Sequence, residues 1–451
     1  MRLAVVGGGV AGLAGARAAL TEARRLNLDL QVILCESSSR VGGKVLTETI
    51  EGTTVEWGPD SILATKPRGA GLVRELGLGE DLVAPGPAAK RTYLLLRSRL
   101  RPLPAGLAMG VPTGIAPLVR SVSDGIIGPI AAIRAGLEPL IPRSRRGDPT
   151  VEEVARKRLG KGVAARLVAP LITGVFGVDA AEISMREAFP QFADSRSLVM
   201  AMARRPRRSA GPPFLAVRGG MTRIAEALAG EAGEVRTSTT VNSLRHGSSG
   251  FALETNEGIQ VADAVLLAVP APRAAGLLQG VAPQAVTPLQ GIGYHSSAIV
   301  LLQYAPGAVG RSLDGSGYLV APEENQATAA CTWLSAKWPH NAWPGPWMRA
   351  TVTAPEFLEM PDDALGERVS SEVGAAVEAN ANPEGVLVRR WSEALPIYSP
   401  GHRERVSAAE AALPSRIKLA GASYRGLGVP DCIAGGETAA GHLLDTFRKG
   451  L

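Results

Sequence analysis

One motif constrains this 451-residue chain more than any other: Gly7, Gly9 and Gly12 form G-x-G-x-x-G between a short apolar strand, residues 3–6, and an Ala/Leu-rich helix reaching about Leu26. Gly7 permits a tight turn, Gly9 lets backbone approach a pyrophosphate, and Gly12 allows close helix–strand packing. The free amides at the helix start then face a negative phosphate, which makes Gly7, Gly8, Gly9, Val10, Ala11 and Gly12 candidate cofactor contacts. A second strand, Leu30–Leu34, ends at Cys35-Glu36 and completes the βαβ opening of a parallel sheet. Glu36 stands 24 residues past Gly12, where a carboxylate accepts hydrogen bonds from ribose hydroxyls and disfavours a 2′-phosphate, and hence NADP.

The rest of the composition says where the chemistry must come from. Cys35, Cys331 and Cys432 stand alone, and the five histidines are scattered, so no zinc spacing, C-x-x-C pair or disulfide framework can be built. No catalytic side chain and no metal ligand is assigned; the reactive group is expected to be imported. The net charge of +6 is carried mostly by arginine and falls far short of a nucleic-acid signature, so no nucleic acid is expected as a partner. The 53 glycines and 33 prolines have no period, and a 45% hydrophobic share argues against general disorder. Two further features favour FAD over NAD. Gly42-Gly43 follows the acid closely and would bring backbone near a ligand longer than the adenosine half. At the far end, Gly421 to Asp431 precedes a helix whose N-terminus places amides beside a flavin pyrimidine ring.

The expected fold class is α/β with α+β insertions. A Rossmann-like FAD-binding domain is assembled from residues 1–84, 214–285 and 396–451. Residues 86–210 read as a Pro-punctuated helical cap or membrane-associated domain, and 286–395 as a mixed substrate domain. Strands are expected at Phe214–Val217, Val241–Leu244, Phe251–Glu254, Ala264–Val269 and Ile417–Ala420, with a final helix from about Ala434. Thr150-Val-Glu-Glu153 is a capping signal for a helix running to Leu159. Ala203–Pro213, with Arg204, Arg205, Arg207 and Arg208, reads as an exposed loop. The N-terminal apolar run is broken by glycines and is not read as a secretion signal. No transmembrane helix is expected, because Pro102–Val119 carries four prolines and three glycines. With Gly125–Ile133 and the basic Arg143, Arg145 and Arg146, that stretch reads either as a cap helix pair with a solvated loop, the preferred reading, or as a membrane-surface element.

These residues carry a resemblance. AVVGGGVAGLAGARAAL (4–20) and ILCESSSRVGGKV (33–45) resemble the opening of the amine-oxidase-like flavoproteins. Within that superfamily, VEWGPDSILATKP (55–67), LITGVFGVDAAEISMREAFP (171–190), ALPIYSPGH (394–402) and LAGASYRGLGVPDCIAGGETAA (419–440) are similar to the oxygen-dependent protoporphyrinogen IX and coproporphyrinogen III oxidases. The chain departs from the family pattern at Ile397 and Val178, which bears on substrate preference more than on reaction class. The resemblance implies further FAD contacts from Lys44, Gly58, Pro59, Asp60 and Ser61. It also implies them from Val241, Trp391, Leu427, Gly428 and Val429, and it places Arg91 near a substrate propionate.

The implied reaction suits a chain without acid–base candidates. Porphyrinogen oxidation removes six electrons, FAD accepts two per cycle, and molecular oxygen reoxidises it. The protein would supply a dry slot, a propionate clamp and helix-dipole stabilisation. Of the two substrates, protoporphyrinogen IX has two propionates and coproporphyrinogen III four; the reading leans to the first. An amine oxidase, a carotenoid-desaturase-like flavoenzyme and a non-redox escort-type protein are the alternatives. The resemblance further implies a cytoplasmic enzyme, on its own or peripheral on the inner face of the cell membrane. Handover of product to a metal chelatase and a homodimer are compatible with it.

Overall fold

The computed structural model describes every residue except 143–146, 194, 205–210, 248–249 and 450–451. The basic cluster Arg143, Arg145 and Arg146, and Arg205, Arg207 and Arg208 of the expected loop, therefore lie outside the described residues. The chain divides into two compact units, Met1–Ala84 with Pro212–Gly293 and Arg403–Leu451, and Pro85–Gly211 with Tyr294–His402.

The first unit is built on a five-stranded parallel sheet. Its strands, in spatial order, are Glu234–Arg236, Gln31–Cys35, Arg2–Val6, Ala264–Leu267 and Ile417–Leu419. Strands buried on both faces read as continuous apolar runs, and Ala264–Leu267 is buried at every position. The helix Val10–Arg25 packs on this sheet through Leu13, Ala16 and Ala19, in one core with Leu3, Val5, Leu34 and Leu266. It also meets the last helix, Val429–Lys449, at backbone distance. A Cβ on Gly436 would lie 2.0 Å from the Ala11 carbonyl oxygen, and one on Gly15 would lie 3.0 Å from the Gly436 oxygen. A three-stranded antiparallel sheet, Val241–Gly247, Gly250–Thr255 and Gly258–Ala262, precedes the Ala264–Leu267 strand.

The second unit centres on a seven-stranded sheet. Its order is Gly385–Pro396, Tyr294–Gln303, Trp347–Val352, Thr328–Trp333, Gly317–Val320, Tyr93–Leu96 and Arg99–Pro102. One face of it is closed by the helix Asp362–Ala376, whose Leu365, Val369 and Val373 pack against Ala298, Val300, Leu302, Met348 and Ala350. The helix Ala169–Phe176 lies against the strands Gly317–Val320 and Thr328–Trp333. The expected capping box is present: Thr150 Oγ1 accepts from Glu153 N and the Glu153 carboxylate from Thr150 N, opening the helix Val151–Leu159.

The structure differs from the sequence reading in three places. Residues 86–210 are not wholly helical, because Tyr93–Leu96 and Arg99–Pro102 form a hairpin of the large sheet. Its two-residue turn puts Arg97 and Ser98 at φ 54° and 56°, with neither glycine nor asparagine to announce it. The Glu324 carboxylate accepts from both turn amides, at 2.5 and 2.9 Å, and holds that conformation from far along the chain. This hairpin also joins the expected cap and substrate regions into one compact unit, so two units are found where three domains were expected. Finally, the last helix starts at Val429, five residues before Ala434, since Pro430 is tolerated in a first helical turn.

Candidate functional site

Parallel strands place every strand C-terminus at one edge of the sheet, and the expected cofactor residues of the first unit follow that rule. Gly7 follows the Arg2–Val6 strand, Glu36 follows Gln31–Cys35, and the 420–428 turn follows Ile417–Leu419. Each fingerprint glycine is used for a distinct geometric reason. Gly7 has φ 108°, a conformation that side chains rarely adopt, and a Cβ on Gly12 would sit 2.0 Å from the Gly7 carbonyl oxygen. A Cβ on Gly9 would meet nothing within 4 Å, so the backbone there faces open space. The helix that begins at Val10 has no side-chain cap and no acidic residue in its first turn. Its orphan amides and dipole are thus left for an anion, and the residues present fit a dinucleotide pyrophosphate.

Glu36 is oriented by the protein itself. Its Oε2 accepts from Gly8 N at 2.6 Å, and its Oε1 from Ser38 N at 2.8 Å and Ser38 Oγ at 2.6 Å. A carboxylate has about four lone-pair sites, so Oε2 keeps capacity for a ribose hydroxyl. Gly42 and Gly43 pack on the fingerprint loop: Gly42 N donates to Gly8 O at 2.8 Å, and a Cβ on Gly43 would lie 3.3 Å from Gly9 Cα. This glycine pair therefore supports the phosphate loop. Arg40, passed over in the sequence reading, shapes the same segment by donating to Gly43 O at 2.7 Å and Val45 O at 3.2 Å. Its position between the serine run and the glycine pair was the available signal.

The other residues of the first unit expected to meet the cofactor are each held by contacts of their own. A Cβ on Gly58 would lie 1.9 Å from Lys44 O, which fixes the Gly58-Pro59-Asp60-Ser61 segment beside Lys44. Ser61 Oγ donates to Asp60 Oδ1 at 2.8 Å. Gly428 O accepts from both Asp431 N and Cys432 N at 2.9 Å, so Leu427, Gly428 and Val429 form the entry to the last helix. Lys66 ties that entry down through Asp431 at 2.8 Å, a pairing between positions 365 residues apart that no local pattern announces. Burial pushes the Cys432 thiol up to about 12, with Asp431 adding to the shift and nearby Lys44 opposing it. Cys432 is a neutral thiol at ordinary pH and not a nucleophile. Val241 is buried at a strand start, and its carbonyl accepts from Arg273 at 2.6 Å. Among the described residues, no group of three or more His, Cys, Asp or Glu could hold a metal ion.

Arg91 and Trp391 belong to the second unit. The Arg91 side chain is 66% exposed, and its Nη1 donates to Asp314 Oδ2 at 2.6 Å. Tyr93 Oη donates to the other carboxylate oxygen at 2.6 Å. The Tyr93 hydroxyl foremost, and Arg91 with it, hold the Asp314 carboxyl below its usual range. Arg91 is thus engaged by a carboxylate of its own chain. Trp391 lies on the Gly385–Pro396 strand opposite Ser297.

With this geometry in place, the comparisons with known proteins are informative. The sequence pattern of the flavin containing amine oxidoreductases matches residues 10–444, nearly the whole chain. The chain belongs to that family. FAD is its cofactor, and it is an FAD-dependent oxidoreductase, as the glycine fingerprint and the family resemblance implied. The chain is 32% identical to the coproporphyrinogen III oxidase of Bacillus subtilis (strain 168), over 98% of this chain and 97% of that one. It is 30% identical to the protoporphyrinogen oxidase of Homo sapiens, over 98% of both. A crystal structure from Exiguobacterium sp. 255-15, provisionally named protoporphyrinogen oxidase, superposes with a TM-score of 0.85 at 30% identity, covering 100% of this chain and 99% of that one.

Proposed function

We propose that this flavoenzyme oxidises a porphyrinogen to the corresponding porphyrin with molecular oxygen, and that coproporphyrinogen III is its substrate. The observation that carries the reading is end-to-end similarity, at 32% identity, to a relative named for that reaction. Protoporphyrinogen IX, toward which the sequence leaned, is the second reading and is supported by the human relative. Bound FAD supplies a two-electron acceptor that oxygen reoxidises, so six electrons leave the macrocycle in three steps and yield three hydrogen peroxide. The chain's own part is to bind and orient. Uncapped amides of the Val10–Arg25 helix hold phosphate, Glu36 holds ribose, and the Val429 helix start supplies a positive dipole end. Lys44, Gly58 to Ser61, Val241, Trp391 and Leu427 to Val429 complete the proposed cofactor set, with Arg91 as a propionate contact. Purified holoprotein should turn coproporphyrinogen III into fluorescent porphyrin under air. Failure with both porphyrinogens would reject the reading.

The proposal extends to a cytoplasmic enzyme in peripheral contact with a lipid surface. No helix among the described residues is long and apolar enough to cross a membrane. However, Ile115, Val119, Ile130, Ile133, Leu137 and Leu140 project from adjacent helical segments, with Ile130 82% exposed. A solvent-facing apolar ridge of this kind is what an interfacial helix pair presents to lipid. Substituting Ile130→Ser with Ile133→Ser should abolish co-sedimentation with anionic vesicles; unchanged co-sedimentation would reject lipid contact. Handover of the porphyrin to a metal chelatase and assembly as a homodimer belong to the same proposal. Both are tested by analytical ultracentrifugation of the protein alone and with a chelatase.

A further inference from the structure

The entry to the last helix carries three charged side chains between Leu419 and Glu437, namely Arg425, Asp431 and Glu437. Each has a counter-ion. Arg425 Nε donates to Glu410 Oε1 at 3.2 Å, Lys66 Nζ to Asp431 Oδ1 at 2.8 Å, and Arg68 Nη2 to Glu437 Oε1. Lys66 and Arg68 come from one short turn. Lys66 N donates to Leu63 O at 3.1 Å and Gly69 N to Lys66 O at 3.0 Å, while a Cβ on Gly69 would lie 3.3 Å from Pro430 Cγ. The turn therefore stands against the first residues of the helix and presents both cations to it. The same segment adjoins the phosphate loop: a Cβ on Gly421 would lie 3.8 Å from Ala11 Cβ. The Lys66 and Asp431 side chains are 47% and 29% exposed. An ion pair that open contributes little to stability, so its effect is mainly on the local field.

We propose that Lys66, with Arg68 in a lesser role, tunes the flavin by cancelling the carboxylates in the first half of the last helix, so that the helix start keeps its positive end. The proposal rests on the reading above that this helix start faces FAD. Two electrons entering FAD leave negative charge on its pyrimidine ring, which a positive dipole end stabilises. Asp431 stands in the first turn of the helix, where an uncompensated carboxylate would offset that dipole end and oppose the incoming charge. Lys66 removes the opposition at that point. Arg68 does the same for Glu437, six residues or about 9 Å further along the axis, where the effect on the helix start is weaker. Lys66 acts through Asp431 and is a positioning residue, not a catalytic one.

Sulfite is the probe, because it adds to N5 of oxidised flavin and leaves the pyrimidine ring negatively charged. Its Kd on the holoprotein, read from bleaching of the visible band, reports the field at that ring. Lys66→Met should raise the Kd about fivefold and lower the flavin midpoint potential. Asp431→Asn, with Lys66 kept, should lower the Kd by about the same factor, and the double variant should return it near the wild-type value. Arg68→Met should change it by less than about twofold. The ratio of visible to ultraviolet absorbance checks each variant for FAD. Opposite signs for the two single variants are the decisive result, since a pair that only braced the fold would weaken sulfite binding in both. Weakening in both, or an unchanged Kd in both, would overturn the proposal, and Asp431→Asn decides alone if Lys66→Met retains no FAD. A wild type that forms no sulfite adduct would reject a positive helix end at the flavin, and the tuning with it. Sulfite needs no porphyrinogen, so a holoprotein that responds as stated yet oxidises neither porphyrinogen would uphold the tuning and reject the substrate assignment.

Discussion

Gly12 and Glu36 show what a single residue contributes here. With Gly12→Ala, the new Cβ would sit 2.0 Å from the Gly7 oxygen, a contact that forces the phosphate loop to move. The variant should purify without yellow colour, with FAD occupancy read from the ratio of visible to ultraviolet absorbance. Glu36→Gln keeps the shape but loses the charge that orders Gly8 N and Ser38 and that is proposed to hold ribose. FAD should bind about tenfold more weakly, as titration of the deflavinated protein measures, and an unchanged Kd would contradict a ribose contact. Both positions stood out in the sequence because a strand–glycine–helix turn and an acid at the next strand end permit few alternatives, and the fold brings the two together through the Gly8 amide. Arg91 was not legible in the same way. Its partner Asp314 lies 223 residues away, and only the folded sheet brings the two together.

Local signals located elements where the physics is local. The capping box at Thr150 rests on side chains three residues apart, and the strand Phe214–Val217 and the βαβ opening were located from their own apolar runs and glycines, although their strand partners lie far along the chain. Thr150→Ala should lower unfolding free energy by about 1 kcal/mol, measured by urea denaturation. The Tyr93–Leu96 and Arg99–Pro102 hairpin was missed because Glu324, which stabilises its turn, is remote in sequence. The contact between the first and last helices was equally hidden: Gly436 faces Ala11 across a gap that no methyl group fits. Gly436→Ala should cost about 1–3 kcal/mol and lower the thermal midpoint of the first unit, although alanine favours an isolated helix.

The composition of the whole chain now has a physical explanation. Its three cysteines are free and buried, and burial pushes Cys331 and Cys432 up to about 12 from an ordinary value near 9. A thiol whose folded pKa is raised leaves stability intact below about pH 9. That stability is lost as pH rises toward 12, where the unfolded chain ionises first. Denaturant midpoints should therefore fall between pH 8.5 and 10.5, and Cys331→Ala should flatten that fall. Native protein should react with Ellman's reagent only on unfolding. Cysteines so placed perform no redox chemistry, which leaves oxidation to FAD. The central claim is tested most directly by giving purified yellow protein coproporphyrinogen III under air, with porphyrin fluorescence and hydrogen peroxide counted together. Three peroxides per porphyrin, with faster turnover than on protoporphyrinogen IX, are predicted. A flavin-loaded protein that forms no porphyrin from either substrate would contradict the account.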